Sequence, residues 1–169
     1  TRVRNGECMK VLIVSDTHNS NGNFYDVIEA EQPIDMIIHL GDGEGVEEEL
    51  PMITNVPMQI VRGNNDFFSR LPRDKEFFLG DYHVFITHGN AYMVSATEDY
   101  LINEAKGRGA DIVMYGHTHK PSIKEKDGII ILNPGSLTYP RQEKRVPSYI
   151  VMTLENGVKP SFEIKYKKN

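Results

Sequence analysis

Asp16 and His18 stand at the end of a short apolar run, residues 11–14, and this pair is the first sign of chemistry in the chain. Four consecutive apolar residues, two of them valine, predict a strand that is covered on both faces of a sheet. A carboxylate and an imidazole at the end of such a strand are costly to bury unless they bind something. The simplest ligand for the pair is a metal ion.

The same arrangement recurs at four later strand ends. Apolar runs at residues 36–40, 58–61, 82–87 and 112–115 each predict a strand, and a metal-binding residue type follows each of them. The candidate ligands at these ends are Asp42, Asn64, His88, His117 and His119. Because strand ends at the carboxyl edge of an α/β sheet are neighbours in space, residues far apart in sequence converge there. We therefore expect one shared site.

The number and chemistry of the candidate ligands indicate two ions. Two carboxylates, four imidazoles and one amide oxygen are too many for a single ion that keeps a position open for substrate. They suit two divalent ions about 3.5–4 Å apart with a carboxylate between them, as in two-metal hydrolases. Nitrogen and oxygen ligands without a thiolate favour manganese, zinc, iron or nickel over calcium or an iron–sulfur centre, and manganese is our first expectation.

Helices between these strands would hold the site in place. Apolar residues at helical spacing predict a helix over residues 23–31. Ser95 and Glu98 have the spacing of a capping box at the start of another helix. Gly107 and Gly109 should end that helix.

Two short loops predict β-hairpins. Gly80-Asp81 is a glycine-first loop between apolar segments, and Asn156-Gly157 is a strong hairpin signal between strands at 148–154 and 158–166. Pro160 and several lysines in the last segment indicate a strand at the edge of a sheet.

The composition limits the class of protein. The chain has 169 residues, 39% of them hydrophobic and 25% charged, which is ordinary for one globular domain. A net charge of −5 argues against binding to long nucleic acid. No apolar run is long enough to span a membrane and no signal peptide precedes the first strand, so we expect a cytoplasmic protein. The single cysteine, Cys8, cannot form an internal disulfide.

Residues 1–8 show no periodic pattern and precede Met9-Lys10, which resembles a natural start. We interpret them as a disordered leader or a cloning remnant, and residues 9–169 as a single domain. The expected edge strand is compatible with a homodimer.

The candidate ligands together resemble the motif series of the calcineurin-like metallophosphoesterases. The matching segments are Asp16-Thr-His18, Gly41-Asp42-Gly-Glu, Gly63-Asn64-Asn-Asp66, His88-Gly89 and Gly116-His117-Thr-His119. Their order is similar to that of the small bacterial and archaeal phosphodiesterase branch, from Met9 onward, and Asn133-Pro-Gly-Ser136 resembles the segment that follows the last motif. The resemblance implies an α/β fold in four layers, an α/β/β/α sandwich of two mixed β-sheets flanked by helices.

The resemblance also implies a ligand set and an activity. One ion would be held by Asp16, His18, Asp42 and His119. The other would be held by Asp42, Asn64, His88 and His117, with Asp42 as the bridge. The ions would supply a hydroxide for in-line attack on a small phosphoester, most simply a phosphodiester. Asp42, Asn64 and His88 are the catalytic residues that we predict.

Asn65 departs from the wider family, in which many phosphatases have a histidine thought to assist the leaving group. An amide cannot act as a general acid, so we predict a preference for esters with good leaving groups. Asp66 is either a turn-capping or a catalytic residue. Arg141 is either a surface residue or a contact for the substrate phosphate. We interpret His39 and His83 as structural histidines.

A second function class is a non-catalytic scaffold, similar to the retromer subunit that shares this fold and binds partners on its surface. A scaffold could lose metal ligands without penalty, whereas all seven are present here. The sequence therefore favours the enzyme. A nuclease would need a basic groove that the net charge does not indicate.

Overall fold

A computed structural model of the chain describes residues 6–168 and contains two five-stranded sheets with helices outside them. In chain order the elements are β1 (Cys8–Val14), α1 (Gly22–Ala30), β2 (Met36–His39), α2 (Val46–Glu49), β3 (Met58–Ile60), β4 (Asp74–Leu79), β5 (Tyr82–Thr87), α3 (Asp99–Arg108), β6 (Ile112–Met114), β7 (Pro121–Lys126), β8 (Ile129–Pro134), β9 (Ser148–Glu155) and β10 (Ser161–Tyr166). Short 3-10 helices occupy Leu50–Met52 and Asn90–Tyr92.

Both sheets are mixed. The first has the order β10-β9-β1-β2-β3, in which β1, β2 and β3 are parallel and the other two strands are antiparallel to their neighbours. The second has the order β4-β5-β6-β8-β7, with β5, β6 and β8 parallel. The strands that precede the candidate ligands are therefore parallel within each sheet, which brings their carboxyl ends to one edge.

Three apolar clusters hold four layers together. The central cluster packs the first sheet against the second, and Val11 and Ile13 of β1 point into it. Leu12 and Val14 point the opposite way, toward the cluster that includes Phe24 of α1. The third cluster joins α3 to the outer face of the second sheet. Because β1 is covered on both faces, its apolar run does not alternate with polar residues. The predicted four-layer α/β/β/α sandwich is confirmed.

The predicted start and end of α3 differ from the structure. Ser95 does not cap the helix: it lies in a turn in which Ala96 and Thr97 donate to the carbonyl of Met93. The capping box is therefore wrong, and α3 begins four residues later, at Asp99. Gly107 is accommodated inside the helix, which ends at Gly109 in the left-handed conformation, with φ of 70°.

The two hairpins also differ in detail. Gly80-Asp81 joins β4 to β5 as a two-residue loop, as predicted. Residues 156–160 all lie between β9 and β10, so Pro160 precedes the last strand and is not part of it. β10 is an edge strand of its sheet, as predicted.

Cys8, assigned from the sequence to the leader, pairs with Glu155 across β1 and β9. The first strand therefore begins one residue earlier than the predicted domain boundary. The rest of the predicted leader falls largely on residues 1–5, which lie outside the described residues.

Candidate metal centre

The loops after the parallel strands are joined to each other by backbone hydrogen bonds. Asp16 N–H donates to the carbonyl of Gly41 at 3.0 Å, which fixes the β1 loop against the β2 loop. Gly116 N–H donates to the carbonyl of His88 at 3.0 Å, which does the same for the loops after β6 and β5. Since the two sheets face each other, the four loops converge at one end of the sandwich.

Six of the seven predicted ligands lie close together through two carboxylates. His119 Nε2 is 3.1 Å and His18 Nε2 is 3.7 Å from Asp16 Oδ1. His88 Nε2 is 3.3 Å from Asp42 Oδ2 and 3.8 Å from Asp16 Oδ1. These contacts form two groups with the spacing of a metal site: Asp16, His18 and His119, and Asp16, Asp42 and His88. Asp16 belongs to both groups, and Asp42 Oδ2 also lies 3.8 Å from His18. His117 joins them through its backbone N–H, which donates to Asp16 Oδ2 at 3.1 Å.

Asn64 approaches the centre through His117. Asn64 Oδ1 is 3.0 Å from His117 Nδ1, and Asn64 is exposed. This distance fits a hydrogen bond. It also fits the distance between two neighbouring ligand atoms that each lie ~2.1 Å from one ion. The ring of His117 stands against that of His88, with centroids 5.2 Å apart.

Three histidines are held in one orientation by acceptors outside the centre. The Nδ1 atoms lie 2.9 Å from Glu44 Oε2 for His18, 2.7 Å from the Leu40 carbonyl for His88, and 2.6 Å from the Tyr139 carbonyl for His119. An acceptor at Nδ1 places the ring proton there and leaves a lone pair on Nε2. All three Nε2 atoms face carboxylate oxygens. Without a cation between them, the hydrogen bond to Asp16 raises the pKa of His18, and burial, which would lower the pKa of His88, is outweighed by Asp42.

An imidazole nitrogen and a carboxylate oxygen repel each other unless a proton or a metal cation lies between them. Consistent with this, Asp16 Oδ1 and His88 Nε2 are buried and have no hydrogen-bond partner among the described residues. Buried polar atoms of this kind are rare in native proteins without a function for them. The residues at this centre therefore fit a divalent metal.

The carboxylates are held in their charged form. Burial alone would raise the pKa of Asp16, but His119, His18 and His88 outweigh burial and hold that pKa far below its usual range. Burial would also raise the pKa of Asp42, but His88 and Asn65 outweigh burial and lower that pKa. Charged carboxylates are the form that binds metal.

Backbone strain is concentrated at the same loops. Five of the seven predicted ligands have the left-handed conformation, with φ between 47° and 68°: Asp16, His18, Asp42, His117 and His119. This conformation costs roughly 1–2 kcal/mol for a residue with a side chain. Strain of this kind is typical of functional sites, where the surrounding structure imposes it.

Two glycines permit the close approach of the loops. A Cβ on Gly63 would lie 2.1 Å from Asp42 Oδ1, and a Cβ on Gly116 would lie 2.1 Å from Ser15 Oγ and 2.9 Å from Asp16 Oδ2. Any larger residue at either position would displace a predicted ligand.

Asn65 and Asp66 both support the loop that carries Asp42. Asn65 donates to Asp42 twice, from its backbone N–H to Oδ1 and from Nδ2 to Oδ2, each at 2.8 Å. The Asp66 carboxylate accepts from the backbone N–H groups of Asp42, Gly63 and Glu44 at 2.7–2.8 Å. These contacts favour the turn-capping interpretation of Asp66.

The histidines outside the predicted site have structural contacts. His39 is fully buried; its Nδ1 accepts from Gly41 N–H at 3.2 Å and its Nε2 lies 3.1 Å from Thr17 Oγ1. His83 Nδ1 lies 3.1 Å from the carbonyl of Gly109.

Several supporting residues have no assigned role in the sequence analysis. Ser136 Oγ donates to the carbonyl of Asp16 at 2.8 Å, and Asn133 Nδ2 donates to Thr118 Oγ1 at 2.9 Å. Both belong to the Asn-Pro-Gly-Ser segment noted in the sequence. Glu44, which contacts His18, follows Asp42 by two residues. Its place in the Gly-Asp-Gly-Glu segment is the sequence feature that could have indicated this role.

The model of the calcineurin-like phosphoesterase superfamily domain matches residues 9–157. The chain belongs to this family. It is 32% identical over 149 residues to a probable metallophosphoesterase of Bacillus subtilis, covering 88% of this chain and 86% of the relative. It is 30% identical over 147 residues to a phosphodiesterase of Methanocaldococcus jannaschii, covering 75% and 83%.

Solved structures show the same fold. A predicted phosphoesterase from Streptococcus pneumoniae superposes with a TM-score of 0.79 at 26% identity, covering 95% of this chain and 89% of that one. Vacuolar protein sorting 29 from Cryptosporidium parvum superposes with a TM-score of 0.74 at 23% identity, covering 96% and 99%. Within residues 6–168 every helix is too short or too polar to cross a membrane.

Proposed function

We propose that the protein is a phosphodiesterase that depends on two divalent metal ions. The observation that carries this proposal is the pair of buried atoms without partners, Asp16 Oδ1 and His88 Nε2, between imidazoles whose Nε2 atoms face carboxylates. The metallophosphoesterase family supports hydrolysis of a phosphoester. The M. jannaschii phosphodiesterase supports a diester as the substrate.

The ligand assignment is part of the proposal. Asp16, His18, Asp42 and His119 would hold one ion, and Asp42, Asn64, His88 and His117 the other. Manganese is the first candidate, with zinc, iron and nickel as alternatives. A pair of divalent ions supplies a hydroxide near neutral pH and neutralises the phosphate oxygens.

The chain's own residues prepare the site for that chemistry. Glu44, Leu40 and Tyr139 keep the Nδ1 protons of three histidines in place, so that the Nε2 atoms stay available. Asn65 and Asp66 fix the Asp42 carboxylate and its loop. Because these groups are already in position, little reorganisation is needed when a phosphate binds.

Asn65 also supports the proposed preference for good leaving groups. Its amide is occupied by Asp42, and an amide cannot protonate a leaving alkoxide. We expect aryl phosphodiesters to react much faster than alkyl phosphodiesters. Equal rates on a matched aryl and alkyl pair would contradict this part of the proposal.

The test combines metal analysis with turnover of bis(p-nitrophenyl) phosphate. Protein stripped of metal is reloaded separately with manganese, zinc, iron and nickel, and the parent is compared with Asp42→Ala. We expect activity in the parent and a loss of about 10³-fold or more in the variant, because several kcal/mol of charge stabilisation disappear. Asp81→Ala, in the exposed loop between β4 and β5, is the matched control and should keep the parent rate. A parent inactive with all four metals would overturn the proposal.

A protein-binding role is the second candidate. Phe67 and Phe68 are 73% and 104% exposed and line a cleft that also contains Asn65, next to the metal centre. Large exposed apolar side chains are typical of contact surfaces. A parent that binds metal but hydrolyses neither aryl nor alkyl diesters would favour this role. Cytoplasmic location and a homodimer remain parts of the proposal.

A further inference from the structure

Charged residues of opposite sign line clefts that border loops of the candidate metal centre. The acidic wall consists of Glu44, Glu47 and Glu48, which line the cleft beside Asn65. The basic wall consists of Lys120, Arg141 and Arg145, which line two clefts on the side of the last metal motif. This local excess of positive charge contrasts with the net charge of −5 for the chain.

Arg141 is the central residue of the basic wall. Its backbone N–H donates to the carbonyl of His119 at 3.1 Å, so its position is tied to a predicted metal ligand. It lines the cleft that contains Thr118, the residue between His117 and His119, and also the cleft that contains Tyr139. Arg141 therefore lines both clefts.

The cations of the basic wall are available to a ligand. Lys120, Arg141 and Arg145 are exposed, and none of them forms an ion pair within residues 6–168. In the same cleft Lys124 is instead neutralised by Glu98. Lys120, which directly follows His119 in the chain, is therefore an unpaired cation of this cleft.

The segment that leads to Arg141 is hydrogen-bonded to the loops that carry predicted metal ligands. Thr138 Oγ1 donates to the carbonyl of Thr17 at 2.8 Å, and the carbonyl of Tyr139 accepts from His119. The Tyr139 ring lies 5.4 Å from the ring of His18 and is 57% exposed. Thr138 and Tyr139, just before Arg141, are therefore tied to the loops that carry Asp16, His18 and His119.

We propose that this basic wall binds a second phosphate group of the substrate, so that the substrate is a phosphodiester bearing a phosphate monoester close to the scissile bond. The inference rests on the proposed phosphodiesterase function. The scissile phosphate would be neutralised by the metal ions that the proposed ligands hold, which would leave the three unpaired cations for another anion. An arginine guanidinium suits a phosphate because it donates two parallel hydrogen bonds.

The acidic wall gives the substrate one orientation. A second phosphate placed beside Glu44, Glu47 and Glu48 would be repelled, whereas the same group beside Arg141 is attracted. A cleft of ≈ 420 Å³ on the basic side has room for such a group. Opposite charges on the two walls thus select which end of an asymmetric diester faces Arg141.

The experiment uses two matched substrates, thymidine 5′-(p-nitrophenyl phosphate) with and without a 3′-phosphate. We expect the parent with manganese to have a kcat/KM about 10- to 100-fold higher for the substrate with the 3′-phosphate, mainly through KM. Arg141→Ala should abolish that preference and leave both kcat/KM on the plain diester and the bound metal unchanged. Arg141→Lys should retain part of it. Arg70→Ala removes an exposed arginine from the segment between β3 and β4 and should behave as the parent.

The outcomes separate this inference from the proposed function. A parent that hydrolyses both substrates equally well would overturn the inference and leave the phosphodiesterase standing. Equal losses on both substrates in Arg141→Ala would also overturn it, because Arg141 would then act on the metal centre in general. A parent that hydrolyses neither substrate would instead overturn the proposed function. Thymidine 3′,5′-bisphosphate should inhibit the parent more strongly than thymidine 5′-monophosphate, and this difference should vanish in Arg141→Ala.

Discussion

The predicted ligands of the two proposed ions differ in how firmly the structure holds them. We call Asp16, His18 and His119 the first side, and Asp42, Asn64, His88 and His117 the second side. On one side Asp16, His18 and His119 present ligand atoms to one another with side chains that are 0%, 14% and 5% exposed. On the other side Asn64 is exposed and reaches the centre only through His117. On the second side Asp42 and His88 are as buried as the residues of the first side, whereas Asn64 and His117 are joined by one amide–imidazole contact.

The supports of the two sides differ in the same way. On the first side Glu44 and the Tyr139 carbonyl orient His18 and His119 through Nδ1. On the second side the Leu40 carbonyl orients His88 in the same way, but the Nδ1 of His117 faces Asn64, which is itself a predicted ligand. Burial, with the charge of His88 next, lowers the pKa of His117 and keeps it neutral. We infer that an ion binds tightly on the first side and more weakly on the second, because ligands held by outer partners bind metal better.

Removing one histidine from each side should give unequal results. We expect His119→Ala to reduce activity on an aryl phosphodiester by about 10³-fold or more and to leave less than one bound ion per chain. His117→Ala should reduce activity by about 10²-fold and keep one ion, because the first side is intact. Metal content by mass spectrometry and titration calorimetry measure both. Equal metal loss in the two variants would contradict the comparison.

The contact between Glu44 and His18 provides a smaller test. Glu44→Gln keeps an acceptor at Nδ1 but removes the negative charge, so we expect metal affinity on the first side to fall by about 10-fold. Affinity on the second side should hardly change. Glu48→Gln, on the same acidic wall without a contact to a ligand, is the matched control. If both variants bind metal equally well, the carboxylate at His18 does not support the ion.

The sequence predicted the first side better than its supports. Asp16, His18 and His119 follow strand ends in short motifs, so parallel topology alone brings them together. The acceptors that orient the histidines are scattered: the carbonyl of Tyr139, which orients His119, has no sequence signature, and Leu40 orients His88 through a backbone atom. Backbone acceptors depend on loop conformation, which residue types do not specify.

The fold shows the same division. The buried strands and the four layers follow from apolar runs, since burial on both faces removes alternation. The capping box at Ser95 fails because a turn at Met93 satisfies the local N–H groups first. Gly107 lies within α3 because only Gly109 adopts the left-handed conformation that ends the helix. Local signals are overridden wherever a neighbouring turn offers a competing hydrogen bond.

His39 contacts the loops that carry Asp16, His18 and Asp42, and its protonation should change the stability of the protein at acidic pH. It accepts a hydrogen bond from Gly41 N–H, ahead of Asp42, and contacts Thr17, between Asp16 and His18. Burial lowers the pKa of His39 to about 4 from an ordinary 6.5, so the folded protein holds it neutral. Between these two values the unfolded chain binds the proton and the folded protein does not. The stability due to the neutral ring is therefore complete above pH 6.5 and is lost as the pH falls toward 4.

We expect this histidine to remove about 3 kcal/mol of unfolding free energy between pH 6.5 and 4 in protein freed of metal. Urea unfolding at several pH values measures it. His39→Gln should be less stable than the parent at pH 7 but should lose about 3 kcal/mol less over that interval. Parallel slopes in the parent and His39→Gln would show that the ring is not held neutral. The loops that carry Asp16, His18 and Asp42 would then lack this internal support.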